Sequence, residues 1–200
     1  MIKVEAFTNS PIDSVTYIIS NSQNSESIII DPGTDQDERI TNHLYENSLK
    51  LNFIFLTHEH FDHILGLNFL RRTFPEIMVI SSEKTSERLP DSKKNLSIFH
   101  NQMNLIVNKS EIIVKASNIN LIGLDFEIIE TPGHTDSSLS LRLGTFFFSG
   151  DFLLKGNRAV TNLPTGSIKQ YNASLNKCQS ILNGVTIFPG HGERYIYDQQ

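Results

Sequence analysis

The chain has 200 residues, 38% of them hydrophobic, and a formal net charge of −5. That length suits one domain, residues 1–200, with a sizeable core. The mild acidity and scattered Lys and Arg count against nucleic acid as a partner, and no run of 18 apolar residues is present to span a bilayer. The single cysteine, Cys178, excludes an intrachain disulfide, and the opening "MIKVEAFTNSP" lacks the basic-then-apolar pattern of a signal peptide. The expected location is the cytoplasm.

Taken in chain order, the first thirty residues read as strands. "IKVEAF" alternates, while "VTYIIS" and "SIIID" are short and β-branched, with Pro11 and Asn21 to Asn24 as punctuation. "DPG" at 31–33 closes the third with a turn. Residues 35–48 predict a helix, with acids in the first turn and Ile40, Leu44 and Leu49 at near-helical spacing. "LNFIFLT" is a further strand. Ile64, Leu67, Leu70 and Phe74 predict a helix over 64–74 that Pro75 stops, and "IMVIS" returns to strand. The pairs "RR" at 71–72 and "KK" at 93–94 read as solvated helix face and loop. Residues 82–104 are polar and weakly patterned. From 105 to 149 the chain reads as mostly β, in "LIV", "EIIV", "INLIGLDFEIIE", "SLSLRL" and "TFFFS". A helix over 169–182 and a strand "VTIF" complete a mixed layout, in which a sheet covered by helices is the natural arrangement.

Four of the apolar runs end alike. "FIFL" leads into Thr57 and His58, "EIIE" into "TPGH" at 131–134, "FFFS" into Gly150 and Asp151, and "TIF" into "PGHG" at 189–192. Loops at strand ends are where a rigid scaffold presents chemistry. If those ends share one edge, His58, His60, Asp62, His63, His134, Asp151 and His191 can converge. Three of the seven histidines already fall within six positions, in "HEHFDH". In an extended stretch His58 and His60 point to one side, because side chains alternate; Asp62 and His63 stand where a helix starts and can turn toward a neighbouring point. Glu59 and Phe61 alternate away and read as structural, and Thr57 is a candidate support for the ligand loop. Seven such ligands exceed one tetrahedral site and suit two divalent metals if a carboxylate bridges them. Imidazole with carboxylate fits zinc, iron or manganese.

With these motifs the chain resembles the metallo-β-lactamase-fold hydrolases, and within them the glyoxalase II-like branch. "THEHFDH" is similar to the signature T-H-x-H-x-D-H, "TPGHT" to the third block of the family, "SGD" to the fourth and "PGHG" to the fifth; "NLPTGS" at 162–167 is similar to a Leu-Pro-Gly stretch after the fourth. The resemblance covers nearly the whole chain. It implies an α+β fold, an αββα four-layer sandwich of two sheets face to face between outer helices, with the metals at one edge. It also implies that His58, His60 and His134 bind the first metal, Asp62, His63 and His191 the second, and that Asp151 bridges them. The commonest zinc β-lactamases carry cysteine where Asp151 stands, and flavodiiron relatives carry glutamate where His60 stands, so neither group is the expected match. Cys178 reads as a helix-packing residue.

The function this implies is a dinuclear hydrolase that cleaves a small thioester, ester or lactone with a metal-bridging hydroxide. Two zinc ions are the expected cofactors, and Asp62 is the expected catalytic group, orienting the hydroxide or taking its proton. The alternative is a mononuclear iron dioxygenase of the persulfide-oxidising type, which shares the fold and keeps equivalents of His58, His134 and Asp151. Glyoxalase II enzymes carry an added C-terminal helical region that contacts glutathione; here "GERYIYDQQ" alone follows His191, which counts against glutathione thioesters. The expected partner is therefore a small molecule, with no nucleic acid and no membrane. Lys155, Asn157 and Arg158 are candidates to meet an anionic substrate, and Tyr171 and Tyr195 to line the cleft or pack. His43 and His100 read as surface residues.

Overall fold

A computed structural model describes residues 1–34 and 38–198 of the chain. The sequence-predicted strands assemble into two sheets. In the first, β1 (Ile2–Thr8), β2 (Val15–Asn21), β3 (Glu26–Ile30), β4 (Lys50–Phe55), β5 (Met78–Ser81) and β6 (Ile112–Ile113) lie side by side in that order. The β1–β2–β3 pairs are antiparallel and the β3–β4–β5–β6 pairs parallel. Parallel neighbours require crossover connections. These carry α1 (Arg39–Glu46), then α2 (Phe61–Ile64) and α3 (Leu67–Thr73), then α4 (Glu83–Arg88) and a 3-10 turn (Ser97–Phe99).

The second sheet joins β7 (Ser117–Leu121), β8 (Leu124–Glu130), β9 (Leu139–Leu143), β10 (Phe146–Gly150), β11 (Thr186–Pro189) and β12 (Tyr195–Ile196), again in sequence order across the sheet. Here β10 and β11 run parallel, connected through α5 (Ile168–Leu182).

The alternation of side chains along each strand builds the layers. Ile28 and Ile30 of β3 face inward, with Phe148 and Phe188 of the second sheet in the same buried cluster. Ile29 faces the other way, into a cluster with Ile40 and Leu44 of α1 and Leu67 and Leu70 of α3. In the second sheet Phe148 stacks on Phe188 with ring centroids 4.7 Å apart, while Phe147 turns outward to Tyr171, Cys178 and Leu182 of α5. Burial on both faces explains why β2 and β3 are rich in isoleucine rather than alternating with charged residues. The result is the expected αββα sandwich, and Cys178 is a fully buried packing residue of α5.

Several elements differ from their sequence reading. The start of the first helix, with its acids Asp35 and Asp37, lies outside the described residues. The helix expected over 64–74 is broken. The N–H of Gly66 donates to Pro32 O (2.8 Å) and Asp62 O accepts from Ser14 Oγ (2.6 Å), so the helical bond between those two groups is diverted. "INLIGLDFEIIE" folds back at Ile122 and Gly123, both at positive φ, into a tight hairpin that pairs Leu121 with Leu124. "LIV" at 105–107 forms no strand. Arg71 is no solvated residue: its side chain is 15% exposed and pairs with Glu111 at 2.9 Å.

The topology aims several strand ends at one edge. β3, β4, β10 and β11 each run into a loop there, and β8 runs antiparallel to β9 as β10 does. The two sheets are tied together at that edge. Val15 N donates to Gly190 O (2.7 Å), and Leu139 N donates to Thr57 O (2.9 Å). In open α/β sheets the carboxyl ends of strands are where ligands sit.

Candidate metal centre

All seven side chains singled out in the sequence meet at this edge. His58 follows β4, and His60, Asp62 and His63 occupy the entry and first turn of α2. His134 stands in the loop after β8, Asp151 directly after β10, and His191 just beyond β11. Donor atoms of His58, His60 and His134 lie within 4.8 Å of one another, as do those of Asp62, His63 and His191. His60 Nδ1 is 2.9 Å from His134 Nε2. Asp151 stands between the two groups: its Oδ1 is 3.4 Å from His63 Nε2, and its Oδ2 is 3.4 Å from His134 Nε2 and 3.6 Å from His191 Nε2.

Each imidazole is oriented by what its other nitrogen touches. His134 Nδ1 is 2.7 Å from Val160 O, an acceptor only, so Nδ1 carries the proton and Nε2 offers a lone pair. Asp31, 2% exposed, accepts from Thr57 N (2.7 Å), Thr57 Oγ1 (2.6 Å) and His63 Nδ1 (3.0 Å). Because the Thr57 hydroxyl donates to Asp31, its oxygen accepts from His58 Nδ1 at 3.0 Å. His58 Nε2, His63 Nε2 and Asp151 Oδ1 are buried without a hydrogen-bond partner. Buried polar atoms left so are rare in folded proteins. One cation beside His58 Nε2 and another beside His63 Nε2, with Asp151 between them, would satisfy all three, so the donor set fits metal.

Electrostatics divides the set in two. Burial, then the neighbouring His63, His60 and His134, push His58 far below the ordinary histidine range, and burial with His134 pushes His60 down to about 3. These two rings are neutral and free to offer a lone pair to a cation. Burial opposes charge on His63 and His191 too, but Asp62 and Asp151 outweigh it and raise both. Conversely, burial would raise Asp62 and Asp151, and the charge of His63 holds both low. The acid-rich half therefore favours positive charge, whereas His58 and His60 resist protonation.

This gives a signed prediction for metal-stripped protein. His60 has a folded pKa of about 3 against 6.5 unfolded. Its contribution to stability is full above 6.5 and is lost as pH falls toward 3, and His58 acts in the same direction. His63 and His191, raised, contribute fully below 6.5 and lose that contribution as pH rises, so they add little further change between 6 and 5. Acidification from pH 6 to 5 should thus cost about 1 kcal/mol through His60 alone. Denaturant melts at the two pH values check this, and stability unchanged or higher at pH 5 would contradict it.

Residues the sequence reading set apart fall as follows. Glu59, 1% exposed, points away from the ligands toward Arg88. Thr57 supports the ligand loop through Asp31. Lys155 is 3.0 Å from Glu193, and Arg158, exposed, lies 5.8 Å from the Tyr171 ring centroid. Tyr171 packs beneath the site against Phe152 rather than lining it. His100, expected on the surface, is half-buried and stacks on Phe61 (5.0 Å), and His43 sits edge-on to Phe7 (5.4 Å). Asp31 is the residue that sequence reasoning missed. Its signal was an acid ending the apolar run "SIIID", the same pattern that marks Asp151.

Glycine is required at one ligand-bearing turn. A Cβ on Gly190 would collide with Asp151 Oδ1 and approach His63 Cε1 to 2.8 Å, so the PGHG turn keeps space for the carboxylate that joins the two groups.

Known proteins agree with this architecture. A family model described as the metallo-beta-lactamase superfamily matches residues 10–191. Hydroxyacylglutathione hydrolase 1 of Vibrio vulnificus (strain YJ016) is 31% identical over 181 residues, which cover 90% of this chain and 62% of that protein. The chain thus spans about three-fifths of that relative's length. The crystal structure of BLEG-1 B3 metallo-beta-lactamase superposes with a TM-score of 0.90 at 27% identity, covering 96% of this chain and 93% of that one. That of ETHE1 from Myxococcus xanthus gives 0.78 at 26% identity, covering 96% and 76%. With the fold, the seven side chains gathered at the strand ends and a family match over most of its length, the chain belongs to the metallo-beta-lactamase superfamily.

Proposed function

We propose that the chain is a metal-dependent hydrolase of small thioesters, esters or lactones. In this reading His58, His60 and His134 hold one divalent ion, Asp62, His63 and His191 a second, and Asp151 bridges them. The observation that carries it is the convergence of the unpartnered buried atoms His58 Nε2, His63 Nε2 and Asp151 Oδ1 on the two donor groups. Zinc is the ion we assign, although the same donors accept iron or manganese. When bound, such a pair would acidify a water toward neutrality and polarise a carbonyl.

The chain's own residues supply the rest. Asp62, with Oδ2 3.2 Å from His191 Nε2 and 3.6 Å from His63 Nε2, is held ionised at the mouth and takes the proton released on attack. Asp31 and Thr57 fix the faces that His58 and His63 present, as partners behind metal ligands do. The buried histidine side excludes water from behind the centre. The two sheets share one interior, which supports a single domain over residues 1–200. A cytoplasmic location is part of this reading and rests on composition alone. Among the described residues no helix is long and apolar enough to cross a membrane.

The name of the Vibrio relative supports a thioester as the first substrate to try. A second reading draws on the trio His58, His134 and Asp151. Two histidines and one carboxylate also suit a single iron in an oxygen-consuming dioxygenase. The experiment is metal analysis of protein purified without added metal, followed by a panel of thioesters, lactones, phosphodiesters and β-lactams. About two zinc per chain, with hydrolysis of a thioester, ester or lactone that a chelator abolishes, supports the proposal. One iron per chain with oxygen uptake overturns it in favour of the dioxygenase.

A further inference from the structure

Between the ligands His58 and His60 stands an acid that binds no metal. Glu59 is 1% exposed, and its carboxylate is fully engaged. Oε1 accepts from Arg88 Nη1 at 2.7 Å, and Oε2 accepts from Ser137 Oγ in a short contact and from Thr85 Oγ1 at 3.4 Å. The same Arg88 Nη1 donates to Asp136 Oδ1 at 2.6 Å, and Asp136 Oδ2 accepts from Lys84 Nζ at 2.8 Å. The cation therefore sits between Glu59, beside two ligands of the all-histidine group, and Asp136, two residues after the third. Thr135 and Ser138 extend the contact through the hydroxyl of Ser137, at 2.8 Å from Thr135 Oγ1 and 2.7 Å between Thr135 Oγ1 and Ser138 Oγ.

We propose that Arg88 is a positioning residue for the first metal: acting through Glu59 and Asp136, it locks the loop bearing His58 and His60 to the loop bearing His134. The inference rests on the proposed metal centre and adds to it a control that no ligand provides. A buried carboxylate without its cation must find a new partner or drag its backbone toward water. For Glu59 that backbone is the peptide joining His58 to His60. In the second group His63 is held by Asp31, and among the described residues no hydrogen bond joins Asp62, His63 or His191 to the Arg88 network. Loss of Arg88 therefore acts on one metal and spares the other. Both carboxylates touch the same Arg88 nitrogen, so the site uses a point charge and lysine can replace it.

Zinc affinity measured by chelator competition tests this in two full-length parents. His191→Ala leaves the first centre to be read alone, and His60→Ala leaves the second. Arg88→Met should weaken zinc binding about 10- to 100-fold in the His191→Ala parent and by no more than about twofold in the His60→Ala parent. Arg88→Lys should stay within about twofold in both, which a role of the arginine in packing alone would not produce. In a Glu59→Gln background, where no buried charge awaits a partner, Arg88→Met should cost about twofold or less. Equal weakening of both centres, unchanged affinity at the first, or a lysine variant as weak as methionine would each overturn the proposal. If the His191→Ala parent itself takes up no zinc, the metal reading falls and this inference with it; if it binds zinc and Arg88→Met binds as tightly, the positioning role alone falls.

Discussion

Replacing His60 by alanine should remove one of two metal equivalents and lower turnover by on the order of 10²–10³-fold, with the fold intact. The ring is the link between the first two ligands and the third. Its Nδ1 lies 2.9 Å from His134 Nε2, and its centroid lies 4.6 Å from that of His58. Without it the group is reduced to two imidazoles, too few to hold an ion against water. Stability should change little, because the side chain sits at the edge of the sandwich and outside its three apolar clusters. Metal content, turnover on the best substrate of the panel and a thermal melt decide together. Near-normal turnover with two metals retained would show that His60 is no ligand.

Replacing Asp151 by alanine should have a larger effect, with both metal equivalents lost and turnover down by about 10³-fold or more. Among the described ion pairs, Asp151 alone joins histidines of both groups. Oδ1 faces His63 and Oδ2 faces His134 and His191, at 3.4 to 3.6 Å. Its charge, after that of Asp62, also favours the charged form of His63 against burial. Removing it therefore takes a shared ligand from each ion and the local counter-charge as well. Loss of a single equivalent, with the other bound at its original affinity, would argue against a bridge.

The sandwich and the meeting of the seven side chains at one edge were both legible in the sequence; the interruptions of individual elements were not. Each proposed ligand ends an apolar run or lies in the "HEHFDH" stretch, and the period-two alternation of an extended chain sets His58 and His60 on one side while sending Glu59 to the other. Asp31 escaped because "DPG" accounts for itself as a turn, although its carboxylate holds Thr57 and His63. The segment 82–104 was opaque for a physical reason. α4 has six residues and no apolar stripe, and it is held by distant partners such as Glu59 for Arg88. Asn95 similarly donates to Leu89 O and Leu105 O, and its carbonyl accepts from Phe61 N. Contacts between residues so far apart in the chain leave no periodic trace. The broken helix at Gly66 has the same origin, since the bonds that interrupt it come from Ser14 and Pro32.

Anomalous diffraction from crystals grown with zinc tests the central claim most directly. Two peaks should appear at the sandwich edge, one among His58, His60 and His134, the other among Asp62, His63 and His191, with the Asp151 carboxylate between them. Zinc bound only elsewhere on the molecule, with these seven groups turned away from a common centre, would contradict the account.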